Sequence, residues 1–197
     1  MVFRLGLTGS IGMGKTATAR IFAEEGCEVW DADAAVHRAY AEGGAAVEPI
    51  GAAFPEAVEN GAVSREALRR IIARDPDALA RIEAIVHPLV VADRAARADA
   101  AEADVVVFDI PLLFETGAER EMDAVAVVTA PPEEQRRRVL ARRSMSAADF
   151  EGILARQMPD TEKRARADYV IETDTPEHAR EQVRAILADI RRQQTDA

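Results

Sequence analysis

The sequence predicts an α/β fold: a five-stranded, mainly parallel sheet between helices, with a helical subdomain inserted into it. Three observations predict this. Val- and Ile-rich runs, apolar on both faces, alternate with helix-like stretches, as in parallel strands joined by crossover helices. A glycine-rich turn, within "LTGSIGMGKTATA" at 7–19, separates the first such run from the first helix. Roughly seventy helical residues lie between the second and third strands, far more than a single crossover of about a dozen residues needs.

Each element has its own justification. Val2 to Thr8 reads as a buried strand, and a helix runs from about Gly14 to Glu25, where Gly26 stops it. "EVWDAD" is a second strand ending at Asp31. From Ala32 to Ala103 the pattern is helical, with breaks at Gly43-Gly44, Phe54-Pro55 and Asp75-Pro76. Ser64 and Asp75 stand where helix caps belong. "DVVVFDIP" and "DAVAVVTAPP" are the third and fourth strands. Helices follow from Pro132 to Arg143 and from Ser146 to Gln157, the second opened by a capping box, Ser146-x-x-Asp149. "ADYVIE" is the fifth strand, and Thr175-Pro176 opens the last helix, which runs to about Gln193. No internal repeat or low-complexity tract is present.

Composition narrows the function classes. At 197 residues the chain is one domain with room for a real core. No run of about eighteen apolar residues exists, so no membrane partner is expected. The N-terminal segment "MVFRLGLTGS" reads without a secretory signal's apolar core. A single cysteine, Cys27, excludes an intrachain disulfide and points to a reducing cytoplasmic setting. A net charge of −10 argues against coating nucleic acid. The charge is uneven, however: residues 136–166 hold nine Lys/Arg against four Asp/Glu, a net of +5, so the remainder carries −15. A basic island in an acidic chain is the signature of a local anion site.

Gly9-Ser10-Ile11-Gly12-Met13-Gly14-Lys15-Thr16 fits G-x-x-x-x-G-K-[ST], a phosphate-binding loop, in the strand–loop–helix setting its mechanism requires. Glycines let backbone amides converge on phosphate oxygens, and the helix N-terminus adds partial positive charge. Gly9, Ile11, Gly12, Met13, Gly14, Lys15, Thr16 and Ala17 are the expected nucleotide-binding residues, with Lys15 on the β/γ-phosphates and the Thr16 hydroxyl on Mg²⁺.

Asp31 and Asp33 follow the second strand, and in a parallel sheet the C-terminal strand ends gather on the ligand side. A carboxylate there can accept a hydroxyl proton or hold Mg²⁺ through water. The other reading of Asp33 is a helix N-cap, and one residue could do both. Asp109 ends "VVVFD", the place of a Mg²⁺-supporting acid or of a strand-end turn residue. Arg138 and Arg142 are four apart on one helix face. Guanidinium groups there would stabilise charge as it spreads over a transferring phosphoryl, on a flap that excludes water. Arg136 and Arg137 read as a solvated face.

The chain resembles the dephospho-coenzyme A kinase family. The likeness runs nearly end to end, through "LTGSIGMGKT", "VWDAD" at 29–33, "VHPLV" at 86–90, "DIPLLFE" at 109–115, "RRVLARR" at 137–143 and "ILARQMPDTEKRARADYVI" at 153–171. The resemblance implies a P-loop nucleoside-kinase-type fold. Its core would span about 1–31, 104–137 and 167–197, a CoA-binding insertion about 32–103, and a lid about 138–166. It implies ATP-dependent phosphorylation of the ribose 3′-hydroxyl of dephospho-CoA; a monomer is expected, with an oligomer as the alternative. Asp33 would be the base, with Lys15 and Arg142 catalytic and Arg138 also on ATP. Thr16, Asp31, Asp33 and Asp109 would serve the metal. His87, Pro88, Leu112 and Leu113 would lie near the acceptor; read from the residues alone, His87-Pro88 is a helix break with Pro88 starting the next helix, and the two leucines are ordinary core. After the last strand, where family members often carry Asn with a nearby Gly, this chain has Glu172-Thr173-Asp174-Thr175. A shikimate-kinase-like or nucleoside-monophosphate kinase and a nucleotide-switch module are the competing readings. The former typically carries a glycine triplet where this chain has Ile110-Pro111-Leu112; the latter needs an Asn-Lys-x-Asp motif, and the one asparagine, Asn60, precedes Gly61.

Overall fold

A computed structural model describes residues 2–141 and 145–196. The chain divides into two compact units, Met1–Val29 with Ala101–Ala197, and Trp30–Ala100.

In the first unit β1 (Phe3–Thr8) is the centre of the sheet, flanked by β5 (Val105–Asp109) and β6 (Ala124–Thr129), with both pairings parallel. β7 (Tyr169–Glu172) pairs parallel with β6, and β2 (Glu28–Asp31) joins β5, giving the order β2-β5-β1-β6-β7. Every residue of β5 and β6 is buried, which explains their unbroken apolar runs: a central parallel strand has no solvent face. α1 (Lys15–Glu24) and the long α9 (Pro176–Asp196) supply one apolar layer. On α9 Ala179, Val183, Ile186, Leu187 and Ile190 are buried at helical spacing and join Ile21 and Phe22 of α1 in the core.

α6 (Pro132–Ala141), α7 (Ala147–Leu154) and α8 (Asp160–Arg166) follow β6. The capping box is formed: the Asp149 amide donates to Ser146 Oγ and the Ser146 amide to Asp149 Oδ2. α8 has no counterpart in the sequence reading. Its seven residues carry no apolar periodicity, and polar contacts dock it. Lys163 is fully buried, with Nζ 2.9 Å from Glu115 Oε1. Arg166 reaches Glu119 Oε1 at 2.8 Å and lies 4.7 Å over the Phe114 ring, and Thr129 Oγ1 donates to Asp160 Oδ2 at 2.8 Å.

Burial works to raise the Glu115 pKa, but Lys163 and the Met158 amide outweigh it and hold the carboxyl below its ordinary value. The stability this group contributes is therefore complete above the ordinary carboxylate range and is lost as the pH falls through the lowered folded-state value. Lys163→Met should cost about 3 kcal/mol, the low end for breaking a buried pair because Glu115 keeps some solvent. It should also flatten the acid limb of stability against pH. Urea melts of both proteins across the acid range measure both effects.

The second unit is helical apart from one hairpin. α2 (Ala32–Tyr40), α3 (Val47–Ala53), α4 (Arg65–Arg74) and α5 (Ala78–Asp99) enclose a core of Ile50, Phe54, Leu68, Ile71, Ile82 and Val86. β3 (Val58–Glu59) and β4 (Ala62–Val63) pair antiparallel across Asn60-Gly61, both at positive φ, the geometry a two-residue hairpin turn needs. Strands of two residues show no periodicity, so the residue pattern by itself reads as helix there. Ser64 caps α4 as expected, accepting from the Ala67 amide.

α5 corrects the break read at His87-Pro88: the helix runs through Pro88 without interruption. A mid-helix proline costs about 3 kcal/mol by propensity. Ala78, Ile82, Val86, Arg94 and Ala98 are buried along the helix on both sides of Pro88, and this packing outweighs that cost. One half-buried carboxylate of α5 ties Trp30 and α2 to that helix: Trp30 Nε1 and Arg38 Nη2 each donate to Asp93 Oδ2 at 2.6 Å. Burial works to raise the Asp93 pKa, and these two donors overcome it and hold the pKa below the ordinary range.

Candidate active site

The loop at 9–14 leaves the C-terminal end of β1 and enters α1. Gly9 is pressed against β6: a Cβ there would lie 2.3 Å from Val128 Cγ2. Gly12 and Gly14 have φ of 80° and 92°, in the left-handed region where a side chain is strained. Among the described residues the amides of Gly12, Gly14, Lys15, Thr16 and Ala17 have no acceptor, so the loop and helix start present a cluster of free donors.

Lys15 Nζ pairs with Asp109 Oδ1 at the end of β5, where the carboxylate is 2% exposed. Thr16 and Ala17 are exposed, and the Thr16 hydroxyl has no hydrogen-bond partner among the described residues. A cleft of about 440 Å³ opens beside the loop, lined by Gly14, Ala17, Arg138, Thr173, Pro176 and Ala179.

Arg138 lines this cleft but is already held. Its Nε donates to Glu134 Oε1 at 2.6 Å, and its Nη1 and Nη2 donate to the hydroxyl and carbonyl of Thr173. The Arg137 and Arg138 guanidinium groups together draw the Glu134 pKa down to about 2. Arg142 lies outside the described residues. Ile11 and Met13 are gripped from outside the loop, by Gln135, Gln157 and Thr173.

In the Trp30–Ala100 unit the helix cap falls to Asp31 and not to Asp33: Asp31 Oδ1 accepts from the Ala34 amide at 2.7 Å. Asp33 sits in the first turn of α2, exposed, with neither a hydrogen-bond nor an ion-pair partner among the described residues. His87 and Pro88 are likewise exposed on α5. In the first unit Leu113 is fully buried, within 3.0 Å of where a Gly6 side chain would begin, whereas Leu112 is 42% exposed. Of the two leucines, only Leu112 has surface to offer an acceptor.

The sequence model of the dephospho-CoA kinase family matches residues 3–178. The chain belongs to the dephospho-CoA kinase family. As a dephospho-CoA kinase family member it is a phosphotransferase that uses ATP to phosphorylate dephospho-CoA in coenzyme A biosynthesis. It is similar to the dephospho-CoA kinase of Ruegeria pomeroyi, with 65% identity over 191 residues and 97% of each chain covered. Among solved structures, TT1252 from Thermus thermophilus superposes with a TM-score of 0.83 at 38% identity, covering 95% of this chain and 97% of that one. The dephospho-CoA kinase from Campylobacter jejuni shares the fold, with a TM-score of 0.70 at 24% identity over 96% of this chain and 98% of that one.

Gln135 and Thr173, which hold the loop, lie outside every quoted motif, whereas Gln157 lies within the stretch at 153–171. Gln135 and Gln157 meet Ile11 across 124 and 146 residues of sequence. Thr173 drew notice only as a departure from the usual residue after the last strand.

Proposed function

We propose that the chain moves the γ-phosphoryl of ATP to the ribose 3′-hydroxyl of dephospho-CoA on the loop at 9–16. The observation that carries this reading is the cluster of free amides at the start of α1 beside the Lys15–Asp109 pair. Donors fixed in a loop need no reorganisation when phosphate charge arrives, which is where electrostatic catalysis gains most. Lys15 holds the β/γ-phosphates. Asp33 takes the proton of the attacking hydroxyl, the hydroxyl oxygen bonds to the γ-phosphorus, and the bond to ADP breaks. Arg142, helped by Arg138, covers the phosphoryl as the lid at about 138–166 closes, with α8 as its anchored end. The insertion at about 32–103 takes the CoA portion, with His87, Pro88 and Leu112 toward the acceptor.

The residues present suit Mg²⁺. Mg²⁺ at phosphate sites rests on one or two protein oxygens plus phosphate, and here the exposed Thr16 hydroxyl has no hydrogen-bond partner among the described residues while the Asp109 carboxylate ends β5 beside Lys15. Thr16 and Asp109 would hold it, with Asp31 and Asp33 through water. Bound there, it would neutralise phosphate charge. No described helix is long and apolar enough to cross a membrane, and we place the reaction in the cytoplasm, carried out by a monomer.

A coupled ADP-release assay against dephospho-CoA, shikimate, AMP, CMP and adenosine tests the reading. ADP release should depend on dephospho-CoA. Equal or faster release with any other acceptor would overturn it.

A further inference from the structure

We propose that Thr173 and Gln135 are positioning residues of the phosphate cradle, turning the Gly14 and Gly12 amides toward the phosphates by pinning carbonyls from outside the loop. The inference rests on the nucleotide-binding reading of the loop and adds what holds it in shape. A trans peptide is planar, so its N–H points opposite to the C=O of the same unit, and no cis bond is present. Thr173 Oγ1 donates to the Met13 carbonyl at 2.8 Å, and Gln135 Nε2 donates to the Ile11 carbonyl at 2.7 Å. Each bond therefore directs the next residue's amide the other way: that of Gly14 in one case, that of Gly12 in the other. These are the two loop residues at positive φ, and neither amide has an acceptor among the described residues. Glycine moves between backbone basins at little cost, so without an outside hold these peptides would flip.

Thr173 is itself fixed. Its amide donates to the Thr129 carbonyl at 2.9 Å, and its hydroxyl lies 3.2 Å from the same oxygen. Arg138 Nη1 donates to that hydroxyl at 2.9 Å, which leaves the single hydroxyl proton for a carbonyl. Glu134 holds Arg138 in turn. The Thr173 side chain also fills the space beside Gly14, where a Cβ would come within 3.0 Å of Oγ1. Thr173 and Gln135 are 9% and 5% exposed, and the polar ends of both side chains are turned to the loop carbonyls. In this chain the residue after the last strand works inward on the phosphate loop.

The test is titration of the wild type, Thr173→Val, Thr173→Ser and Gln135→Met with ADP and with AMP, alongside thermal melts. The cradle serves the phosphates beyond the first, so the ratio of ADP to AMP affinity is the readout that a merely structural role would not move. Thr173→Val and Gln135→Met should each lower that ratio about tenfold, the loss of one well-aimed bond to a charged group. Thr173→Ser, which keeps the hydroxyl, should restore it. An unchanged ratio in the two variants, with only a lower melting temperature, overturns the proposal. Should Thr173→Val fail to fold, Gln135→Met decides alone. A wild type with no preference for ADP over AMP would instead sink the nucleotide reading of the loop.

Discussion

Replacing Asp33 by Asn should slow turnover on the order of 10²–10⁴-fold, the usual worth of a positioned general base, while ATP affinity and melting temperature stay as they are. Asp33 is exposed in the first turn of α2 and has no partner among the described residues, so Asn disturbs no contact. The cap that might have been lost belongs to Asp31, whose carboxylate accepts the Ala34 amide. Only the favourable placement of a negative charge at a helix N-terminus is lost, a few tenths of a kcal/mol at an exposed site, roughly. Steady-state kinetics with nucleotide titration separates the two readouts. An Asp33→Asn enzyme with wild-type turnover would remove Asp33 from the chemistry.

Lys15→Met should lower turnover about 10²–10³-fold, as removal of one preorganised charge-stabilising donor does, and here stability should fall as well. Lys15 is the cation on Asp109, a carboxylate 2% exposed at the end of β5. Its removal leaves a buried negative charge without its ammonium partner, which is costly. Adding Asp109→Asn to Lys15→Met should recover much of the lost melting temperature and none of the activity. Activity returning together with stability would show that Lys15 serves only to neutralise Asp109.

Much of this was open to reading along the chain, and the parts that were not share a cause. Strands β5 and β6 announce themselves because a strand buried on both faces is apolar almost throughout. The phosphate loop is equally plain, since free amides and positive φ at Gly12 and Gly14 demand glycine at set spacing. Ser64 and Ser146 mark helix starts by local hydrogen bonds that need no distant partner. The errors lie elsewhere. Pro88 looks like a helix break because propensity is local, while the buried residues that carry α5 past it belong to a core assembled from four helices. α8 shows no period because it is docked by Lys163, Arg166 and Asp160 on partners dozens of residues away.

The sequence by itself determined the family, the parallel sheet and the phosphate loop, because each depends on residue types at fixed short spacing. The tertiary structure alone decided that Leu113 is core while Leu112 is exposed, and that Thr173 and Gln135 grip the loop. Those outcomes turn on which groups meet across a hundred residues or more, or on which of two neighbours turns inward. Hydrogen bonds and burial are settled by distance in space, and distance along the chain does not carry that information.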